Sequence, residues 1–92
     1  VSACLNFWFC CLENLHLIYA DYFEMKLKKL LKDDTKVFEK STFKFVEGYK
    51  IYLTESKESG IKQMQNVIKY FEFIESKSIA LYFQKRLNEL VD

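Results

Sequence analysis

The sequence predicts an all-α protein built of antiparallel helix pairs, and three observations lead to this prediction. Proline is absent and only two glycines occur among the 92 residues, so the chain lacks the frequent turn signals of a β-protein. Apolar residues recur at helical spacing in five stretches. Gly48 and Gly60 lie in two of these stretches, where a glycine costs a helix about 1 kcal/mol unless close packing compensates.

Short polar segments between the apolar stretches set the predicted bounds of the helices. The five helices are expected at residues 2–12, 15–31, 36–53, 57–74 and 79–91. Asn14 is a predicted N-cap for the second helix and Ser56 for the fourth, while the polar segment 32–35 would end the second and cap the third. Joints this short make each helix antiparallel to the one before it.

Apolar spacing also predicts which sides of the helices are buried. The first helix is apolar nearly all round and should be buried on every side. In the second helix the inner side should hold Ile18, either Tyr22 or Phe23, Leu27, and either Leu30 or Leu31. The fourth helix has a regular inner stripe, which consists of Ile61, Met64, Ile68 and Phe71, with Val67 and Ile74 beside it.

The chain is short for its apolar content. Ninety-two residues make at most one small domain, yet half of them are hydrophobic and 17% are aromatic. Because the chain opens without methionine at Val1, directly in an apolar run, we expect a fragment that hides this excess against a neighbour or a second copy. That run is too short for a membrane span and follows no basic stretch, so neither a transmembrane helix nor a signal peptide is predicted.

The charges are nearly balanced, with fourteen lysines and arginines against thirteen aspartates and glutamates. A nucleic-acid-binding domain normally carries a basic face, and a net charge of +1 gives no sign of one. Cys4, Cys10 and Cys11 are odd in number and lie in one apolar stretch. They are expected to be small buried hydrophobic residues of a reducing cytosol, not a disulfide framework.

Small residues suggest an internal repeat. Gly48 and Ala80 are 32 residues apart, close to the period of about 34 residues in tetratricopeptide units. Ala20 and Gly60 would occupy the small-residue position in the second helix of their pairs. We predict that all four lie at close helix–helix contacts in a tetratricopeptide-like right-handed array. The period alone leaves an irregular helical bundle nearly as well supported, because the usual Trp-Leu-Gly-Tyr pattern is degenerate.

Three spaced strings follow one another in the second half of the chain. They are Phe45, Gly48 and Tyr52, then Gly60, Met64, Ile68 and Phe71, then Ala80, Phe83 and Leu87. In this order they resemble the C-terminal part of the Rgg/MutR family of transcriptional regulators. The resemblance covers residues 34–90, and more loosely the first two helices.

The resemblance implies that residues 1–92 are part of a single C-terminal, tetratricopeptide-like domain. In such regulators this domain binds a short peptide pheromone, as in quorum sensing, and helps to form a homodimer. A separate N-terminal helix-turn-helix domain, expected to be missing from this fragment, contacts DNA. The resemblance therefore implies a cytoplasmic regulator whose partners are a signalling peptide and a second copy, with no cofactor.

A bound peptide would lie on the concave face, which the first helix of each pair lines. On this register the candidate contact residues are Asn6, Phe9, Phe45, Tyr49 and Tyr52. An asparagine amide both donates and accepts along a peptide backbone, and aromatic rings supply large apolar area at little cost in rotamer entropy. The competing interpretation is core packing for each aromatic residue and a solvent-facing helix position for Asn6.

An enzyme is not predicted. His16 is the only histidine and lies three residues from Glu13 at a helix start, where a surface or capping role is favoured over catalysis. Cys10 and Cys11 are adjacent and cannot both face one metal from a helix, and no C-x-x-C spacing occurs. The alternative function is a tetratricopeptide-like scaffold that docks another protein without regulating genes.

Overall fold

The computed structural model describes residues 2–31 and 37–91, and within these ranges the protein has five helices and no strand. The helices are α1 (Ser2–Glu13), α2 (Leu17–Leu30), α3 (Val37–Thr54), α4 (Lys57–Phe73) and α5 (Lys77–Leu90). The all-α prediction is confirmed, and the helix ends lie within two residues of the predicted ones. The predicted capping segment 32–35 lies outside the described residues.

The chain divides into two compact units, Val1–Phe43 and Lys44–Asp92, with the division inside α3. In the first unit α1 packs against α2, and in the second α4 packs against α5. Each of these pairs is joined by a turn of three residues, 14–16 and 74–76. Packed helices joined by such short turns run antiparallel, so each unit contains an antiparallel hairpin. The right-handed array stays a prediction.

The core of the first unit follows one stripe of α1. Leu5, Trp8 and Leu12 recur at helical spacing and are buried, Trp8 completely. The Trp8 and Phe43 ring centroids are 4.7 Å apart. Phe7 lies outside this stripe and is exposed. The prediction that α1 is buried on every side is therefore wrong.

The inner face of α2 differs from the predicted one. Ala20 and Leu27 are fully buried, whereas Ile18 is 85% exposed and Tyr22 is exposed as well. The prediction is thus right for Leu27 and wrong for Ile18. Of the alternatives that it left open, Phe23 and Leu31 are half-buried, whereas Tyr22 and Leu30 are exposed. The small side chain of Ala20 lets the backbone of α2 come close to its neighbour, which favours the stripe of Ala20 and Leu27 over the bulkier one.

The same backbone turn ends α1 and α4. Leu15 and Glu75 have positive φ values of 58° and 61°. The amides of the next residues, His16 and Ser76, each donate to the carbonyl oxygen five residues earlier at 2.8 Å. This is the left-handed C-terminal cap in which glycine is the usual residue.

One of the two predicted N-caps is confirmed. The Ser56 hydroxyl accepts a hydrogen bond from the Ser59 amide at 3.2 Å. The Asn14 prediction is wrong, because the Asn14 side chain donates back to the Cys10 carbonyl oxygen at 2.8 Å. The left-handed turn after Asn14 moves the start of α2 further along, so His16 holds the N-cap position and makes no side-chain capping bond.

Two glycines set the approach of α3 and α4 in the second unit. A Cβ built on Gly60 would lie 2.5 Å from the Gly48 carbonyl oxygen and 2.6 Å from the Tyr52 Cα. A Cβ built on Gly48 would lie 2.9 Å from the Met64 Cγ. Backbone thus meets backbone at this crossing, which the missing side chain of Gly60 permits. The small residues singled out in the sequence are all buried: Ala20, Gly48, Gly60 and Ala80.

An aromatic cluster forms the rest of the core of the second unit. Phe83 of α5 lies 4.9 Å from Phe45 and 5.6 Å from Phe71, measured between ring centroids. Met64, Ile68 and Phe71 are buried as the spacing of α4 predicts, and Ile61 is half-buried. The prediction is wrong for Ile74, which is exposed because α4 ends before it. This cluster fixes α5 against both α3 and α4.

Candidate ligand-binding surfaces

Tyr49 and Tyr52 lie three residues apart on α3 and stack on each other. Their ring centroids are 6.2 Å apart, with 18° between the ring planes. The Lys57 Nζ lies 5.8 Å from the centroid of the Tyr52 ring, within the range of a cation–π contact. Tyr49 is buried and Tyr52 half-buried, so Tyr52 supplies most of the accessible surface of this pair.

The other three predicted contact residues have different surroundings. Phe45 is 2% exposed and packs against Phe83, which makes it a core residue of the second unit. Asn6 on α1 is exposed and Phe9 is half-buried, and both belong to the first unit. Of the five residues, the structure therefore brings Tyr49 and Tyr52 into ring contact.

A groove between α4 and α5 was not identified from the sequence. It consists of two adjoining hollows of about 420 and 300 Å³. Its lining residues are Gln65, Ile68, Lys69 and Glu72 of α4 and Lys77, Ala80, Leu81 and Gln84 of α5. On both helices the lining positions follow the spacing i, i+3 or i+4, and i+7, so each helix presents one face to the groove.

The groove has an apolar floor and amide groups at one end. Ile68 and Ala80 are buried, while Leu81 is 69% exposed. The Gln84 Nε2 donates to the Asn88 Oδ1 at 3.0 Å, which orients this amide along α5. The side-chain oxygen of Gln84, Oε1, is then an acceptor that a ligand can use.

Charged side chains lie toward the end of the groove near the turn between α4 and α5. Lys69, Glu72 and Lys77 are all exposed. None of the three takes part in an ion pair with the described residues. Exposed Glu75 lies in the turn at the same end, so two lysines and two glutamates leave this end of the groove without a net charge.

Trp8 Nε1 and Glu39 Oε2 in the first unit are buried and have no hydrogen-bond partner among the residues that the structure describes. The first is a donor and the second an acceptor. Phe43, whose ring packs against Trp8, lies one helical turn beyond Glu39 on α3. Because buried polar atoms are nearly always paired, these two atoms mark a locally destabilised part of the core.

The three cysteines and the histidine differ in their exposure. Cys10 is exposed, so the prediction of a buried side chain is wrong for it, because the buried stripe of α1 leaves it facing solvent. Cys4 and Cys11 are half-buried, and all three thiols are free. His16 is exposed at the start of α2. Among residues 2–31 and 37–91, no three His, Cys, Asp or Glu side chains are grouped so that they could hold a metal ion.

No helix in the described part of the chain combines the length and the apolar character needed to cross a membrane.

Comparisons with known proteins identify the family. Neither the curated proteins nor the solved structures give a match. A family model, described as the C-terminal domain of the HTH-type transcriptional regulator Rgg, matches residues 1–85. The match includes α1 and α2, which the sequence resemblance covered only loosely, and it confirms that resemblance. The chain therefore belongs to the family of C-terminal domains of Rgg helix-turn-helix-type transcriptional regulators.

Proposed function

We propose that the chain is the peptide-sensing and dimerising region of a transcriptional regulator. The observation that carries this proposal is the family match over residues 1–85. The matched domain is the C-terminal one, and its charges are nearly balanced, which suits an effector domain better than a DNA-binding surface. DNA contact falls to the helix-turn-helix domain of such regulators, and the protein acts in the cytoplasm beside the genes that it controls.

The stacked tyrosines support the peptide-binding part of the proposal. Half-buried Tyr52 offers a ring for an apolar side chain and a hydroxyl for a backbone group. Lys57, close to the same ring, adds a positive charge that attracts a carboxylate. Phe45 contributes indirectly, because its packing against Phe83 holds this part of α3 in place. In the second unit the proposed contact residues are Tyr49 and Tyr52, and Phe45 supports them from the core. Asn6 and Phe9, which belong to the first unit, are proposed as contact residues of that unit separately.

Exposed apolar side chains support the dimerising part. They concentrate on α2 and the turn before it, and include Leu15, Ile18, Tyr19, Tyr22 and Met25. Ile18, Tyr22 and Met25 follow helical spacing on α2 and form one stripe, and Leu15 is exposed in the turn before it. A continuous apolar stripe on a monomer is the kind of surface that a second copy covers.

Selection of random heptapeptides displayed on phage against the purified 92-residue chain tests the peptide-binding proposal. The dissociation constant of a selected peptide is then measured by fluorescence anisotropy. Tyr52→Ala should weaken binding by about tenfold, the effect of removing one aromatic contact. Tyr82→Ala removes a more exposed tyrosine of α5 outside the proposed face and should leave the affinity unchanged. Failure to select any peptide, or equal losses in both variants, contradicts the proposal.

A further inference from the structure

We propose that one face of the α1–α2 hairpin docks an amphipathic helix of the same regulator, one that leads into α1 as α3 leads into α4. The residues of this face, which we call the uncovered face, are Cys4, Phe7 and Cys11 of α1 and Tyr19, Phe23 and Leu30 of α2. It shares no residue with the stacked tyrosines or with the stripe of α2 proposed for the dimer. Docking of this helix is therefore a function beyond peptide binding and dimerisation, and it depends on neither.

The α1–α2 and α4–α5 hairpins repeat each other at a distance of 60 residues. Their turns are alike, because Leu15 and Glu75 both have a positive φ and the same backbone hydrogen bonds surround each of them. The helix after each turn carries the same string, Ala-x-Tyr-Phe-x-x-x-Leu-x-x-Leu, at residues 20–30 and again at residues 80–90. Self-similarity at a fixed spacing identifies a structural repeat. Each residue of the first hairpin therefore has a counterpart 60 residues further along.

On the second helix of the repeat, α3 covers the face that is open in the first copy. The counterparts of Tyr19, Phe23 and Leu30 are Ile79, Phe83 and Leu90. Phe83 is 2% exposed, with its ring centroid 4.9 Å from that of Phe45 in α3, whereas Phe23 is half-buried. Tyr19 is 65% exposed and Leu30 is exposed as well, whereas their counterparts are half-buried. Each of the three residues is thus more accessible in the first copy than in the second.

The first helix of the repeat shows the same difference. The counterparts of Cys4, Phe7 and Cys11 are Met64, Val67 and Phe71, and all three counterparts are buried. Gly48 of α3 lies on Met64, since a Cβ added to this glycine would come within 2.9 Å of the Met64 Cγ. In the first copy Phe7 is 58% exposed and the two cysteines are half-buried. The surface that α3 buries in the second copy therefore stays accessible in the first, within the part of the chain that the structure describes.

The opposite side of the hairpin shows that a face without a cover can be polar. In the first copy α3 packs on this side against Trp8, and Leu5 and Leu12 are buried. In the second copy the same side is the groove between α4 and α5, where the counterparts of the two leucines are Gln65 and Glu72, both exposed. The uncovered face carries aromatic, aliphatic and thiol side chains instead. Apolar chemistry at an accessible face indicates a partner that removes it from water.

The contacts of α3 in the second copy describe the helix that fits the uncovered face. α3 presents Phe45 to Phe83 and, three residues later, Gly48 to Met64. The same contacts in the first copy require an amphipathic helix with an aromatic residue for Phe23 and a small residue three positions later for Cys4. Because α3 is joined to α4 by only two residues, 55–56, a helix that leads directly into α1 reaches the face in the same way.

Native thiols report whether the face is covered in the full-length regulator. One variant keeps Cys4, whose counterpart Met64 is buried, and a second keeps Cys10, whose counterpart Tyr70 is exposed; all other cysteines are changed to serine. The rate of reaction with a fluorescent maleimide is measured for each variant in the full-length regulator and in the 92-residue chain. Cys4 should react about tenfold more slowly in the full-length regulator, and Cys10 should react at the same rate in both proteins.

Two substitutions in the full-length regulator locate the protection. Phe7→Asp, one helical turn from Cys4 on the uncovered face, should restore most of the reactivity of Cys4. Phe73→Asp makes the same change at an exposed phenylalanine outside the face and should leave Cys4 protected. Circular dichroism of both variants should match that of the parent protein.

Equal reactivity of Cys4 in the two proteins overturns the proposal, and so does an equal slowing of Cys10. Protection of Cys4 that disappears on dilution from micromolar to nanomolar protein means that a second copy covers the face, which overturns the proposal as well. Protection that is independent of concentration and is lost in Phe7→Asp supports it. None of these rates depends on a bound peptide, so the proposed function is tested separately.

Discussion

Gly60 of α4 rests directly on the backbone of Tyr52 in α3. A Cβ added to Gly60 would come within 2.6 Å of the Tyr52 Cα and would also collide with the Tyr52 nitrogen. Backbone atoms cannot rotate away, so any side chain at this position pushes the two helices apart. Because Tyr52 is a proposed peptide-contacting residue, the spacing set by Gly60 also positions the proposed site.

Gly60→Ala should therefore lower the free energy of unfolding by about 2 kcal/mol through overpacking. Gly48→Ala is the matched control, because the atom that its Cβ would crowd most is the Met64 Cγ, at 2.9 Å, in a flexible side chain. Movement of Met64 and the better helix propensity of alanine should hold the loss for Gly48→Ala to about 1 kcal/mol or less. Urea unfolding, followed by circular dichroism, measures the free energy of unfolding of both variants. Equal losses would show that the two helices do not cross as described.

The two left-handed turns give a prediction of the opposite sign. Leu15→Gly and Glu75→Gly should each raise the free energy of unfolding by about 0.5–1 kcal/mol, because a positive φ strains every residue except glycine. Lys62→Gly, at an exposed position inside α4, should lower it by about 1 kcal/mol. Thermal unfolding of the three variants provides the test. Destabilisation by all three would mean that the turns are not left-handed.

The starts of α4 and α5 differ in their capping, and the difference can be measured. Ser56→Ala should lower the free energy of unfolding by about 1 kcal/mol, because it removes the acceptor of the hydrogen bond from the Ser59 amide. Ser76→Ala should lower the free energy of unfolding clearly less, since the Ser76 hydroxyl makes no capping hydrogen bond. Urea titrations of the two variants measure both free energies of unfolding under the same conditions. A larger loss at Ser76 would contradict the described caps.

The unpaired carboxylate oxygen of Glu39 predicts a stabilising substitution. Glu39→Leu should raise the free energy of unfolding by about 1 kcal/mol, because it removes a buried acceptor that has no donor. The fluorescence of Trp8, the chain's only tryptophan and fully buried, reports unfolding of the same unit. A variant less stable than the parent chain would show that Glu39 has a partner that stabilises the fold.

The sequence predicts helices well where one stripe of apolar residues is clear. In α4 the apolar residues Met64, Ile68 and Phe71 stand out against charged neighbours, and they are buried as predicted. In α2 two stripes compete, a predicted one that reaches Leu27 through Ile18 and one that reaches it through Ala20. Periodicity cannot choose between them, because the choice depends on how closely α1 packs against α2. The structure shows that the stripe with the small alanine is buried.

The candidate site is only partly readable from the sequence for a similar reason. The spacing of Tyr49 and Tyr52 predicts that they are neighbours, but the burial of Phe45 depends on its contact with Phe83, 38 residues further along. The two stripes that line the groove are regular in the sequence. The two stripes face the same groove only because α4 packs against α5, which the sequence does not show.

The central claim is that this domain couples peptide binding to the DNA binding of a regulator. The most direct test measures the dissociation constant of the full-length regulator for its promoter DNA by anisotropy, with and without a saturating phage-selected peptide. Coupling between two sites typically changes affinity by about 5- to 150-fold, and by the same factor in both directions. We expect a change in this range, and Tyr52→Ala should need about a tenfold higher peptide concentration to reach it. An unchanged DNA affinity, with the peptide shown to be bound, would contradict the claim.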